Sequence, residues 1–553
     1  MRRVLKIFLA VLAALTVIWL ATTVYLGYLS SERFRAPDLR IDLSSYPAVQ
    51  WSDSLRVCGS NSLLLNRHGL WEARVEGSAA DRGAVLGMLS EDILQNQERV
   101  FIDQIHRMVK SERYIRFLLG FIEIFNRNMT RYIPEEYLEE IYAVSLSCSH
   151  DYDVYETPYA RQLNYHAAHD IGHTMQRYML VGCSSFAAWG SESAGGDLIV
   201  GRNFDFYVGD EFAENKIVLF VNPDAGYKFA SVTWPGMIGV VSGMNECGLT
   251  VTINAANGPM PTSSAMPVSL LVRHILQYAK NIDEAMAIAA DCRTFVSESF
   301  LVASSYDLRA AIIEKTPDET RLYSAGGTHI ICTNHFQSEN FTGDRYNAEL
   351  DSRYRYDRLS ELLGTAAHLD ARKCAGILRD RYGLHGEDIG LTNEKSINQF
   401  IAHHSVVFEP ERLRMWVSTR PWNEGAFLCY DLKEVFASED APATSMALPG
   451  ECIPADTLFL RNDLKRVESF RRQTSVLRRS IGERTALSDD FIDNYMANNP
   501  GYYLVYDMAG DYELAQGNVE LAKRYWERAL TKEIPHQSIY DDISKKLKRH
   551  DKR

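Results

Sequence analysis

The sequence predicts an α+β fold, and three observations carry that prediction. Between residues 183 and 438 the chain is a succession of short apolar or alternating runs, at 217–221, 229–234, 237–241, 300–303, 310–314 and 414–418, set apart by Pro, Gly and Asp. Runs of that length bounded by turn residues read as strands. Apolar residues at helical spacing occupy 109–141 before that region, 268–290 within it and 502–530 after it. With 553 residues, 46% of them hydrophobic, the chain can bury a large core and divide into more than one unit.

Taken in order, the chain opens with Arg2, Arg3 and Lys6 and continues into an almost uncharged apolar run, 7–29, whose length suits a bilayer-spanning helix. Basic residues lead it and mixed charges (Glu32, Arg33, Arg35) follow it, which orients the N-terminus to the cytoplasm and the body outside. No small-x-small cleavage site follows the run, so residues 1–29 read as an uncleaved anchor in preference to a signal sequence that is removed. Either way the body is exported. Residues 30–182 form a leading segment, with a strand at 71–77 running into a glycine-marked helix start at 82–87 and then the helical run 109–141. His166, His169 and His173, with Asp170 among them, lie on one helical face. That spacing is compatible with a metal site, but it lacks the HExxH pattern with its glutamate base. A packing role is preferred and no metal is expected.

The stretch around which the chain is organised follows. Gly182-Cys183-Ser184-Ser185-Phe186 is separated by Ala194-Gly195-Gly196-Asp197 from a strand-like run ending Gly201-Arg202-Asn203-Phe204-Asp205-Phe206. Strand, tight turn and strand bring Cys183 close to Arg202 and Asp205. A thiol attacks only as thiolate, so a nucleophilic cysteine needs a base or a cationic neighbour, and Arg202 is such a neighbour. Taken alone, a cysteine in this setting is more often a small buried hydrophobe. Further on, 242–254 is a turn of Gly, Met, Asn and Glu leading into a strand that closes on Asn254. The run 330–336 ends a strand on Thr333-Asn334, and 352–359 opens a helix bearing Arg353 and Arg355. An asparagine after a strand is, by itself, a turn residue, and two arginines are a charged helix face.

Composition narrows the partners. The formal net charge of -13, with no basic stripe in the body and no Gly-rich phosphate loop, argues against nucleic acid. Nine cysteines show no zinc spacing, and their odd number leaves one thiol over if the rest pair. Residues 439–490, with Pro442 and Pro449, read as a linker. Residues 491–553 read as helical, and 502–512 with 517–530 resembles one tetratricopeptide helix pair. One such unit cannot bury its face alone, so it is expected to pack on the body or on a protein partner.

The text GCSSF…LIVGRNFDF, with SGMNECGLTVTIN, ICTNHF and SRYRYDRL, resembles the penicillin acyltransferase, choloylglycine hydrolase and acid ceramidase group of N-terminal nucleophile hydrolases, over roughly residues 70–436. The resemblance implies a four-layer αββα sandwich and a chain that cuts itself between Gly182 and Cys183. Residues 30–182 become the small chain and 183–438 the catalytic region. It implies Cys183 as nucleophile, its freed α-amine as the base, and an amine of that kind titrates at about 7.7–8.0. Arg202 and Asp205 orient the nucleophile, Asn254 and Asn334 stabilise the oxyanion, and Arg355 supports the charge network, with Arg353 as the competing register. The implied activity is hydrolysis of, or acyl transfer from, a small-molecule amide through a thioester on Cys183, with no cofactor. Two other readings stand beside it: a membrane-tethered binding protein with an unused cysteine, and a metal-dependent hydrolase built on the histidine cluster.

Overall fold

The computed structural model describes residue 16 and residues 34–174, 180–259, 261, 263–339, 341 and 350–550. Apart from Thr16, the expected span at 7–29 lies outside the described residues; among those described, no helix is long and apolar enough to cross a membrane.

Two sheets form the body. In the larger, β1 (Gln50–Trp51), β2 (Leu55–Cys58), β3 (Asn61–Leu65) and β4 (Trp71–Gly77) lie beside β8 (Ile217–Pro223), β9 (Phe229–Thr233), β10 (Ser242–Asn245), β11 (Leu249–Ala255), β12 (Glu298–Ser304), β13 (Arg309–Lys315) and β14 (Thr320–Tyr323), in that spatial order. In the smaller the order is β15 (His329–Cys332), β6 (Ser184–Ala188), β7 (Ile199–Tyr207), β16 (Ala402–Glu409), β17 (Arg414–Ser418) and β18 (Phe427–Asp431), with β5 (Leu180–Val181) paired to the end of β7. The β4–β8 pair is parallel and the others are antiparallel. The leading segment is therefore hydrogen-bonded into the same sheet as the rest of the body.

Alternation along the strands decides the layering. In β8, Ile217, Leu219 and Val221 face one apolar cluster, which they share with the helices Ala79–Met108, Glu135–Ser145 and Val268–Tyr278. Val218 and Phe220 face a second cluster, shared with Val200, Val406, Phe408 and Val417 of the smaller sheet. The other face of that sheet, with Phe186, Val407 and Trp416, packs on the helices Leu350–Thr365 and Ala371–Leu378. Helices, sheet, sheet and helices thus form the four layers that were expected. A buried ion network ties the first helical layer together: Glu140 receives Arg82 at 2.7 Å and Arg273 at 3.0 Å, from three different helices. Ser78 caps the helix Ala79–Met108 by accepting the Asp81 N–H, which supplies one of the four donors a helix start leaves unpaired.

Four stretches differ from the sequence reading. The helical run 109–141 is two helices, Glu112–Asn126 and Glu135–Ser145, because Pro134 fits only at a helix start. The apolar run 237–241 is not a strand. Its backbone is satisfied elsewhere: the Ile238 N–H donates to His166 Nε2, the Val240 N–H to Ser269 O, and Val241 O accepts from Ile253. Residues 396–401, which the resemblance implies as the start of a run, 396–408, that helps finish the sheet, are an irregular loop before β16. The linker 439–490 contains the helices Thr457–Asn462 and Leu464–Glu483. The nine cysteines are all free.

At the C-terminus the helices Tyr503–Ala515 and Val519–Ala529 share an apolar core with Phe470 and Leu477 of Leu464–Glu483 and with Ile543 of Gln537–His550. This group docks on the body at the 383–401 loop. Asn499, 1% exposed, donates to Leu391 O at 2.7 Å and accepts the Leu391 N–H at 2.8 Å, and Lys395 pairs with Glu533 at 2.5 Å.

Candidate active site

The Gly195–Gly196 turn, with φ of 73° and 84°, folds β6 back on β7 so that Ser184 faces Asn203 and Ser185 faces Arg202. Glycine adopts such positive φ angles without steric penalty. Cys183, just before β6, is 1% exposed, with its Sγ 3.6 Å from Arg202 Nη2 and 3.8 Å from the main-chain oxygen of Asp205. Burial pushes the thiol up to about 11, against the pull of Arg202. It is therefore a thiol at neutral pH, and attack requires a base at that moment.

Arg202 lies in a cage of acceptors. Its Nη1 donates to Ser242 Oγ at 2.5 Å and Val241 O at 3.2 Å, its Nη2 donates to Ile253 O, and the guanidinium sits 4.4 Å over the Phe204 ring. Behind it Ser242 meets His404 at 2.9 Å, and His404 meets His403 at 2.9 Å. Burial, with Arg202 nearby, holds both imidazoles well below their usual range, so they stay neutral. Asp205 is fully buried. Among the described residues neither carboxyl oxygen has a hydrogen-bond partner, and burial pushes the group up to about 7 while Arg355 and Arg202 pull it down.

Arg355, not Arg353, reaches the site. It is fully buried, whereas Arg353 is exposed. Arg355 Nη1 donates to Gly182 O at 2.9 Å, Cys183 O at 2.6 Å and Ser184 Oγ at 3.1 Å; Nη2 donates to Asn334 Oδ1 at 2.9 Å and pairs with Asp351 at 3.1 Å. The two asparagines are brought close with their amide donors already engaged. Asn254 Nδ2 donates to Cys332 O at 3.0 Å while its Oδ1 accepts from Ser185 Oγ at 3.1 Å, and Asn334 Nδ2 donates to Ala255 O at 3.0 Å.

A residue that sequence reasoning missed completes the geometry. Gln399 Nε2 donates to Gly182 O at 3.1 Å, so this one carbonyl receives two donors, from Arg355 and Gln399. Any Cβ at position 182 would lie 2.2 Å from Gln399 Nε2, which accounts for glycine there. Gln399 stands 217 residues from Gly182 on a loop with no periodic pattern, and nothing in its local sequence signals the contact. Of the histidine cluster, the one described side chain, His166, is not part of this site. His166 is buried, its Nδ1 bonded to Gln162 O at 2.7 Å and its Nε2 accepting from Ile238 at 3.1 Å, and the side chains of His169 and His173 lie outside the described residues.

Residues 192–420 match the family described as acyl-coenzyme A:6-aminopenicillanic acid acyl-transferase. The match begins on the C-terminal side of Cys183 and takes in Arg202, Asp205, Asn254, Asn334 and Arg355. Among curated proteins, an uncharacterized protein of Archaeoglobus fulgidus is 21% identical over 397 residues, 64% of this chain and 65% of that one. Protein dcd1B of Dictyostelium discoideum is 21% identical over 266 residues, 45% of this chain and 50% of that one. The chain thus spans less than two thirds of either relative. Among solved structures, a Caenorhabditis elegans ortholog of N-acylethanolamine-hydrolyzing acid amidase aligns with a TM-score of 0.30 at 17% identity, over 41% of this chain and 93% of that one. A conjugated bile acid hydrolase from Clostridium perfringens aligns with a TM-score of 0.32 at 10% identity, over 48% and 96%.

Proposed function

We propose, for a chain whose residues 192–420 match the penicillin acyltransferase family, that Cys183 first cleaves its own Gly182–Cys183 peptide and then carries acyl groups from small-molecule amides. The observation that supports this reading best is the carbonyl of Gly182. A buried peptide oxygen held by a guanidinium at 2.9 Å and an amide at 3.1 Å is set up to become an oxyanion.

In the proposed first step Asp205 takes the thiol proton. A carboxyl at about 7 is matched to that task near neutral pH, and Arg202 stabilises the thiolate as it forms. Sγ adds to the Gly182 carbonyl carbon, and the negative charge collects on the oxygen facing Arg355 and Gln399. Collapse breaks the Gly182–Cys183 C–N bond, the leaving nitrogen takes a proton, and a thioester links Gly182 to Sγ. Water hydrolyses it, giving a Gly182 carboxylate and a Cys183 with free thiol and free α-amine. That amine then takes the Sγ proton as the thiol adds to a substrate amide and hands it to the departing amine as the amide C–N bond breaks, leaving the acyl group on Sγ as a thioester that water or an amine acceptor releases. β4 remains paired with β8 throughout, so the leading segment stays in the sheet after the cut.

The reading is tested by incubating the processed chain with N-acyl amides and measuring its mass after acid quench. An acyl increment on Cys183 that hydroxylamine removes is the expected result; turnover without such an increment, or none with any amide, contradicts it. The charges around 7–29 support an anchored, exported body, which protease accessibility in intact cells tests.

A further inference from the structure

A cavity of about 540 Å³ opens where the end of β7 and the start of β16 meet the helix Leu464–Glu483. Neither Gly182 nor Cys183 lines it. Its apolar wall includes Phe206, Tyr207, Ile401, Trp422 and Leu464, and two buried nitrogen groups, Lys216 and His403, also line it. Lys216, just before β8, is 1% exposed, and its one acceptor among the described residues is Ser418 O at 3.0 Å, with no carboxylate in reach. An ammonium carries three donors. Burial, with Arg420 nearby, pushes Lys216 down to about 7, as expected of a buried cation without a counter-ion.

His403 is placed by an irregularity in the sheet. Ala402 pairs with Asp205 and His404 with Phe204, so His403 is an extra residue, a bulge, on β16. Consecutive residues of a regular strand point to opposite faces; here the bulge lets the two rings meet, Nδ1 to Nδ1, at 2.9 Å. From His404 the bonds run through Ser242 Oγ to Arg202, whose Nη2 lies 3.6 Å from the Cys183 thiol.

Matching donors to acceptors gives this chain of bonds a direction. Both rings are neutral, so each carries one N–H, and Arg202 can only donate to Ser242 Oγ. If His404 Nε2 also donated to that oxygen, the serine hydrogen would lack an acceptor among the described residues and His403 Nε2 would lack a donor. If the serine donates to His404 Nε2 instead, His404 Nδ1 donates to His403 Nδ1. One group is then left over, the His403 Nε2–H, buried and without a partner among the described residues. An unpaired buried donor is costly, and it stands on the same cavity wall as the unmatched Lys216 amine. The other charges of the lining suit one negative charge and not two. Asp210 pairs with Arg471 at 2.9 Å and Glu214 with Arg420 at 3.6 Å, while the remaining carboxylate, Glu468, repels a dianion.

We propose that this cavity binds a monocarboxylate with an apolar body, its oxygens accepting from His403 Nε2 and Lys216 Nζ, at a second site that is joined to Arg202 by hydrogen bonds and stands apart from the reacting peptide. The bound carboxylate holds the bonds in the direction that leaves the Ser242 lone pairs to Arg202. The site goes beyond the acyl-transfer reading and does not rest on it.

The test is calorimetry on the full-length Cys183→Ala chain, in which neither cutting nor turnover intervenes, at pH 6, where Lys216 is charged. The probes are hexanoate, the uncharged hexanamide and sulfate. Hexanoate is expected to bind at least tenfold more tightly than either of the others. Lys216→Met and His403→Phe are each expected to remove that preference, with Lys216→Gln and His403→Leu in their place should either fail to fold. No binding of hexanoate, equal binding of hexanamide, tighter binding of sulfate, or a preference that survives substitution at Lys216 or at His403 overturns the proposal. Selective hexanoate binding to a chain whose unaltered form never cuts itself would sink the acyl-transfer reading and leave the site standing.

Discussion

Replacing Gln399 with alanine isolates the proposed oxyanion contact. The Gly182 oxygen has two side-chain donors, and Gln399→Ala removes the neutral one at 3.1 Å while leaving the charged one at 2.9 Å. Loss of one preorganised oxyanion donor costs about 2.7–4 kcal/mol of transition-state stabilisation. With the guanidinium still in place the lower end applies, about 2.7 kcal/mol, which is roughly a hundredfold in rate. The same bond contributes only about 1 kcal/mol to stability, because Gly182 O keeps its other donor in the folded chain. The assay follows the appearance of the fragment beginning at Cys183 after cell-free synthesis of the full chain, with thermal melting of the Cys183→Ala background as the control for folding. A cleavage rate within threefold of the unaltered chain, with melting unchanged, would refute the assignment of Gln399 and of the two-donor carbonyl together.

Three further outcomes follow from the same geometry. Gly182→Ala pushes the flexible end of Gln399 off the carbonyl, so it slows cleavage about as much as Gln399→Ala, and the double variant is no slower than either alone. Asp205 has a folded-state value raised to about 7, so its ionised form is the one the fold disfavours. As base it must be ionised, and the cleavage rate rises with pH through about 7 and then levels. The stability sign is opposite: the penalty is absent below the unfolded carboxyl value of about 3.9 and grows as pH rises to 7. Asp205→Asn in the Cys183→Ala chain therefore melts higher than its parent at pH 8 and equally at pH 4; a gain independent of pH contradicts this. Asn499→Ala leaves the buried Leu391 N–H and C=O unpaired, costing roughly 2–4 kcal/mol of stability. Because Leu391 and Gln399 share one loop, it also slows cleavage, which denaturant titration and the fragment assay measure separately.

The hairpin that carries the nucleophile was legible because its signals are local: two glycines at positive φ between two alternating runs set Cys183 against Arg202 and Asp205. The four layers were implied by the family resemblance and not by periodicity, since Ile217–Pro223 is apolar on both faces, with Ile217, Leu219 and Val221 against helices and Val218 and Phe220 against the other sheet. The choice between Arg353 and Arg355 was not, since both lie on one helix and only packing decides which is buried. Residues 237–241 look like a strand because they are apolar and buried, yet their backbone bonds go to a histidine ring and a helix start that lie far off in sequence. The helix Leu464–Glu483 was read as linker because its apolar stripe is thin, with Val467, Phe470 and Leu477 buried among many charges. Its stability comes from the tertiary contacts of that stripe. Gln399 has no local signature at all, and the engaged amides of Asn254 and Asn334 depend on main-chain carbonyls that only the folded sheets supply.

The central claim, that the chain makes its own nucleophile, is tested most directly by the intact mass of the purified protein beside its Cys183→Ala counterpart. Two fragments, the larger beginning at Cys183, with a single uncut chain for the variant, is the predicted result. One uncut chain in both would mean that Cys183 never gains a free α-amine, and the two donors on the Gly182 carbonyl would then be structural.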